Sequence, residues 1–195
     1  MQNNIMKVYG IMGPSGSGKS FICNKLEFVG GYIIDADKVG HSLLKKGQTV
    51  YYDIVKNFDG ILDIDNNIDR KKLGKIVFEN EKELKKLNEI VHPHIFSEIE
   101  ERVISIKAAN EHKFIVIDAA ILIEIGLNKL CDKVILITAD EKIRIDRIIK
   151  RDNTTKELAK NRVLSQKSFL EWAKLSDLVF INNDDFDVDI MQILV

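Results

Sequence analysis

At 195 residues and 45% hydrophobic, the chain can bury a sizeable core and reads as one domain, 1–195, with room for an appended lobe. Lys and Arg total 29 against 30 Asp and Glu, so the formal net charge of −1 gives no drive toward nucleic acid or a membrane surface. No apolar run approaches the roughly 18 residues of a spanning helix, no signal-peptide core forms around Lys7, and Cys23 and Cys131 lack C-x-x-C spacing. A soluble, cytoplasmic protein with two reduced thiols is expected.

In chain order, Lys7–Met12 reads as a buried strand and Phe21–Leu26 as part of a helix with apolar residues at Ile22 and Leu26. Between them, Gly13-Pro14-Ser15-Gly16-Ser17-Gly18-Lys19-Ser20 satisfies G-x-x-x-x-G-K-[ST] in full. Glycines let successive backbone N–H groups point into one concavity that holds a phosphate chain, and the following helix adds its positive N-terminal end. Lys19 can reach the β- and γ-phosphates, and the Ser20 hydroxyl suits Mg²⁺. The bland alternative, a flexible Gly/Ser linker, does not explain a strand before and a helix after. The stretch predicts binding of a nucleoside triphosphate.

Tyr32–Ile34 reads as a second strand, ending in Asp35-Ala36-Asp37. Ligands of open parallel sheets bind beyond the strands' carboxyl ends, so either carboxylate could accept a proton from an acceptor hydroxyl. Asp37, further from the buried strand, is the better base, and it could equally cap a helix over 38–46. From about Ala36 to Asn110 no core strand is evident, which predicts an inserted helical lobe over about 37–110. There Asn80–Glu83 forms an N-terminal cap followed by Leu84, Leu87 and Val91 at helical spacing, and Pro93 should break or restart that helix.

Apolar strands return at 114–117, 134–137 and 178–181. Short, β-branched, near-continuous strands separated by helices predict an α/β fold of three layers with about five parallel strands. Asp118 ends the third strand, where a carboxylate could act on Mg²⁺ or simply bond local backbone. Glu124 reads as structural. The stretch 139–151 predicts a helix with Asp140 as cap, with Arg144, Arg147 and Arg151 on one face and Ile143, Ile148 and Ile149 toward the sheet. Asp152-Asn153-Thr154-Thr155 then turns into further basic residues. A basic helix leading into a basic hairpin fits a phosphate-covering lid over about 150–165, against the plainer reading of a solvated face. His41, His92, His94 and His112 show no metal spacing, and His92 could position a substrate or cap a broken helix.

Gly16-Ser17-Gly18-Lys19-Ser20, Ile34-Asp35-Ala36-Asp37, His92-Pro93-His94-Ile95, Arg147…Arg151-Asp152 and Asn182-Asn183 occur in that order, and the chain from Lys7 to about Asp185 resembles the dephospho-coenzyme A kinases. The loop is common to many kinases; the acidic strand end with the later His-Pro is more specific. The resemblance implies a P-loop kinase fold with sheet order 2-3-1-4-5, an inserted substrate lobe, a lid, and ATP-dependent phosphorylation of the ribose 3′-hydroxyl of dephospho-coenzyme A. It implies Asp37 as general base, Lys19 and Arg147 on the transferred phosphoryl group, and nucleotide contacts from Gly13, Gly16, Ser17, Gly18, Lys19, Ser20, Phe21, Arg151 and Asn183. Asp37, Arg70 and His92 would meet the acceptor, and Ser20 and Asp118 would serve Mg²⁺. ATP and the acceptor are the expected partners of a monomer or small homo-oligomer. The loop departs from the family's usual Thr-Gly-Gly-Ile-Gly-Ser-Gly-Lys-Ser-Thr at Met12, Pro14 and Phe21, and Ala120–Glu124 replaces Pro-Leu-Leu-Phe-Glu. Another small-molecule kinase, acting on a nucleoside, nucleotide or sugar, is the alternative. A nucleotide switch is disfavoured, because there is no Asn-Lys-x-Asp and the third strand leads into Asp118-Ala119-Ala120-Ile121.

Overall fold

The three central strands of this chain are near-continuously apolar because both of their faces are covered. In the computed structural model, which describes residues 6–183 and 194, β1 (Lys7–Met12), β3 (Phe114–Asp118) and β4 (Lys133–Thr138) each bury four or five consecutive residues. With β2 (Gly31–Asp35) and β5 (Leu178–Ile181) they form one five-stranded sheet in the order β2-β3-β1-β4-β5. β1 is central, running parallel to β3 with Gly10 opposite Ile117, and to β4 with Gly10 opposite Val134. The three-layer α/β/α fold and its strand order are those expected. Asp185, near which the resemblance closes, lies outside the described residues.

The chain divides into two compact units, Met1–Ile34 with Ser105–Val195, and Asp35–Ile104. The first carries the sheet, α1 (Lys19–Phe28), α6 (Leu122–Ile125) followed by a 3-10 turn, α7 (Glu141–Asp152), α8 (Lys156–Leu164) and α9 (Phe169–Ala173). Its main core sets Tyr9, Ile11, Ile135 and Ile137 of the sheet against Ile22 and Leu26 of α1. The apolar face of α7 goes elsewhere than expected. Ile145 and Ile148 pack with Ala159 and Val163 of α8, with Ile149 alongside, whereas Ile143 is only half-buried. An apolar stripe spaced for a sheet serves equally for a helical hairpin, and here it zips α7 to α8.

The second unit holds α2 (Ala36–Leu43), α3 (Thr49–Asn57), α4 (Arg70–Glu79) and most of α5 (Glu81–Ala109). Its own core gathers Tyr51, Ile54, Phe58, Ile61 and Leu73, with Leu84 and Leu87 of α5 against them. Asp63 Oδ1 accepts from the N–H groups of Asp65 and Asn67, which closes a turn with Asn66 left-handed at φ 60°.

Two expectations fail in this unit. Asp35, not Asp37, caps α2: its Oδ1 accepts from the Lys38 N–H at 2.9 Å, and the helix spans 36–43 rather than 38–46. Either aspartate is a good cap, and the end of β2 at Asp35 decides between them. Pro93 does not break its helix; α5 runs unbroken from Glu81 to Ala109. Pro93 and Glu89, whose carbonyl the proline ring leaves without its helical donor, are both exposed, so water can satisfy that carbonyl. Ile95, Ile99 and Val103 then continue the buried stripe past the proline, and apolar burial outweighs the lost hydrogen bond. His92 therefore lies inside a helix, not at a cap.

Candidate active site

Two glycines of the loop 13–20 are required by what lies against them. A Cβ on Gly16, at φ 80°, would stand 2.5 Å from the Arg144 carbonyl oxygen of α7. On Gly18, at φ 85°, it would stand 2.2 Å from Asn182 Nδ2. The loop is thus pressed against α7 on one side and the residue following β5 on the other.

Long-range donors fix the loop's carbonyls. Arg144 Nε donates to Ser15 O at 3.0 Å. One Arg147 nitrogen lies 3.4 Å from Gly16 O, 3.5 Å from Ser17 O and 2.9 Å from Asn182 O. Asn182 Nδ2 donates to Ser17 O at 2.9 Å, and Asn182 is itself held by its N–H on Thr138 O at 2.7 Å. In each trans peptide the N–H points opposite the carbonyl, so the N–H groups of Gly16 and Gly18 turn away from this clamp, and the first turn of α1 adds donors with no partner inside the helix. Lys19 Nζ spans the loop to Gly13 O at 3.3 Å, and Ser20 is exposed in the first turn.

Burial also concentrates unmet polar capacity here. Among the described residues three buried side-chain polar atoms have no hydrogen-bond partner, and two of them, Ser17 Oγ and Asn182 Oδ1, belong to this clamp. Such atoms are uncommon in folded proteins and mark a place shaped by something other than stability. Desolvation lowers the Arg144 pKa, with Glu141 acting the other way.

The remaining candidates fall at several places. Asp118 ends β3, half-buried, level with Ile11 of β1. Asn183 Oδ1 accepts from the Asp140 N–H at 2.9 Å; Asp140 occupies the N-cap of α7 as expected, but its side chain makes no cap bond. Arg151 does not join Arg144 and Arg147 on the loop. It pairs with its neighbour Asp152, which also takes Arg162 of α8. These two arginines hold the Asp152 carboxyl down at about 2. Phe21 is half-buried with Lys25 4.8 Å from its ring centre. Glu124 pairs with Lys167.

In the second unit, Asp37 is exposed in the first turn of α2. Burial works against the charge of Asp35, but the Lys38 N–H and ammonium outweigh it and hold its carboxyl below the usual range. Arg70, just past the Asp69 cap of α4, meets His41 Nε2 at 2.6 Å. His92 is half-buried on α5. Neither cysteine forms a disulfide; burial, with Asp132 and Asp177 adding to it, pushes the Cys131 thiol up to about 12, so it is inert at neutral pH.

Sequence reasoning missed Asn182, Arg144 as a loop ligand, and Gln166, whose Oε1 accepts from the Ser15 N–H at 3.2 Å. The Asn182-Asn183 pair just past the last strand was the signal for the first; nothing local announces the others.

Comparison with known proteins agrees with this architecture. The family model described as dephospho-CoA kinase matches residues 7–187. A dephospho-CoA kinase of Fusobacterium nucleatum is 38% identical, with 92% of this chain and 91% of that one aligned. One from Aquifex aeolicus is 37% identical over 96% of this chain and 94% of its own. The solved dephospho-CoA kinase from Campylobacter jejuni superposes with a TM-score of 0.68 at 29% identity, covering 95% of this chain and 92% of that one. With the sheet order, the glycine-tight loop and the arginine-bearing helix after β4 all in place, the chain belongs to the dephospho-CoA kinase family.

Proposed function

We propose that the protein transfers the γ-phosphoryl group of ATP to the ribose 3′-hydroxyl of dephospho-coenzyme A, the last step of coenzyme A synthesis. The observation that carries this is a loop whose carbonyls are tied back by Arg144, Arg147 and Asn182, in a chain of this family. Phosphoryl transfer asks mainly for positioning and charge neutralisation, so a loop held in shape by the rest of the chain is most of what the donor half needs.

In this reading the loop N–H groups of Gly16 to Ser20, with Gly13 behind them, hold the β- and γ-phosphates. Lys19 leaves Gly13 O for the phosphate oxygens. Arg147 neutralises charge on the transferring group, and Arg151 joins from the lid. Asn183 and Phe21 flank the nucleoside. Asp37 accepts the 3′-hydroxyl proton as the ribose oxygen bonds to the γ-phosphorus; the bond to the bridging oxygen breaks and its electron pair leaves on ADP. Arg70 and His92 serve the acceptor.

Mg²⁺ suits the donors present. Ser20 and Asp118 offer hard oxygen atoms, and this ion is commonly held by one or two such groups with phosphate oxygens and water completing an octahedron. When bound it neutralises phosphate charge. Among the described residues no helix is long and apolar enough to cross a membrane, which supports the cytoplasmic reading.

The test is ATP consumption with dephospho-coenzyme A beside a panel of nucleosides, for wild type and Asp37→Asn. Dephospho-coenzyme A is expected to be the substrate turned over, and Asp37→Asn to lower kcat by about 10²–10⁴-fold. Turnover of a nucleoside but not dephospho-coenzyme A would sink the assignment; an undiminished kcat in the variant would remove Asp37 from the chemistry.

A further inference from the structure

Ser15 is the one loop residue whose two backbone polar groups both go to side chains of the helical hairpin that follows β4. Its carbonyl accepts from Arg144 Nε at 3.0 Å, and its N–H donates to Gln166 Oε1 at 3.2 Å. The ring closes because Arg144 Nη2 donates to the same Gln166 oxygen at 2.7 Å. Chemistry fixes the orientation of this amide: both neighbours are donors, so the oxygen must face them. Arg144 sits on outgoing α7, and Gln166 sits just past the end of returning α8. The two arms of the hairpin therefore grip the two successive peptides on either side of the Ser15 Cα.

The return segment is anchored on its other side. Lys167 pairs with Glu124 after β3 and lies 5.2 Å from the Trp172 ring centre. Ser168 and Glu171 then close a capping box that starts α9. Gln166 thus projects from a pinned stretch of chain. Its side chain is not packed into place, because Gln166, Arg144, Pro14 and Trp172 line a cavity of about 590 Å³. Hydrogen bonds, rather than contacts, hold the amide against the loop, and an apolar side chain of equal length has room to swing away.

We infer that Gln166 is a positioning residue for the phosphate loop, acting through Ser15 and Arg144 to keep the cradle in its nucleotide-receiving shape and to tie it to the base of the lid. Without its oxygen, the Ser15 N–H and one Arg144 nitrogen lose their shared acceptor, and the Pro14–Ser15 peptide keeps only the Ser17 N–H on Pro14 O at 3.2 Å to hold it. The cost falls on the diphosphate of the nucleotide, not on the acceptor.

The experiment compares Gln166→Met, which keeps length and loses the acceptor, with Gln166→Glu, which keeps an acceptor for both donors. Binding of ADP and of dephospho-coenzyme A is measured by titration calorimetry on the full chain, with Tm recorded. Gln166→Met is expected to weaken ADP about tenfold and to leave dephospho-coenzyme A within twofold, while Gln166→Glu recovers ADP binding to within about threefold. Wild-type ADP affinity in Gln166→Met, equal loss for both ligands, or a Gln166→Glu as weak as Gln166→Met would each overturn the assignment. Arg144→Lys is the second probe, since an ammonium cannot serve Ser15 O and Gln166 with a fixed fork. It is expected to weaken ADP selectively, and the double variant to weaken it little further. Additive losses would mean that the two residues do not act as one clamp.

Discussion

The phosphate loop and the helical unit 35–104 are held together by opposite means. Loop carbonyls 15, 16 and 17 accept from side chains 129 to 165 positions away in the chain. The helical unit has an apolar core around Ile54, and much of its polar bonding is local, as in Asp35 with Lys38, Asp63 with its own turn, and Asp69 with Lys71. Its candidate acceptor residues, Asp37, Arg70 and His92, stand on helix surfaces. The donor half is a polar assembly whose geometry depends on single hydrogen bonds, whereas the helical unit is a packed scaffold that displays its polar groups. Substitutions of similar size should therefore report differently in the two regions.

In the donor half the largest effect is expected at Lys19. Its hydrogen bond to Gly13 O carries little structure, so Lys19→Ala should lower kcat by about 10²–10³-fold while circular dichroism and Tm stay near wild type. A variant that unfolds would make Lys19 a structural residue instead. Next comes Asn182→Ala. It removes the shorter of two hydrogen bonds to the Ser17 carbonyl, leaving Arg147 at 3.5 Å. A loss of about 1–3 kcal/mol in denaturant unfolding is expected, together with weaker ATP binding. If stability fell with ATP affinity intact, the clamp would be a packing feature and the contrast between the regions would weaken.

Local patterns carried the scaffold, and they stopped where the clamp begins. The apolar strand at 114–117 and the glycines at 16 and 18 are readable because each reflects a constraint within a few residues. Asp35 against Asp37 as cap turned on where β2 ended, which propensity does not resolve to one residue. Pro93 stayed inside α5 because it faces water, a tertiary fact. Gln166 has no sequence mark at all, and the basic face that singled out Arg144 does not say that it meets Ser15, a partner over 120 residues away from both. The resemblance could supply the sheet order and the roles of Lys19 and Asp37, but not which side chains hold the loop they act on.

A smaller effect should sharpen the other side of the comparison. Ile54 is fully buried in the core of the helical unit. Ile54→Val removes one methylene there and should cost about 0.5–1.5 kcal/mol in denaturant unfolding, with ATP affinity unchanged. A parallel loss of ATP affinity would mean that the cradle depends on the packing of that unit, and the division into a polar donor half and an apolar scaffold would fail.

The hairpin of α7 and α8, proposed above as the lid, lies between these extremes, being zipped by four apolar residues and fastened at its tip by exposed ion pairs. Asp152 there meets Arg151 and Arg162, which lower its carboxyl from 3.8 in an unperturbed chain to about 2. A depressed carboxylate stabilises the folded form wherever it is ionised in both states, so its contribution is whole above about pH 4 and disappears as the pH falls through about 2. The Tm of Asp152→Asn should accordingly lie below wild type by a constant, small margin from pH 7 to about 4 and converge with it toward pH 2. Added salt at neutral pH should narrow the same margin, because both arginines are largely exposed and water and counter-ions screen them. A margin that persisted at pH 2 would trace to the turn 152–155 rather than to charge. The tip of the lid would then be held, like the helical unit, by local backbone geometry.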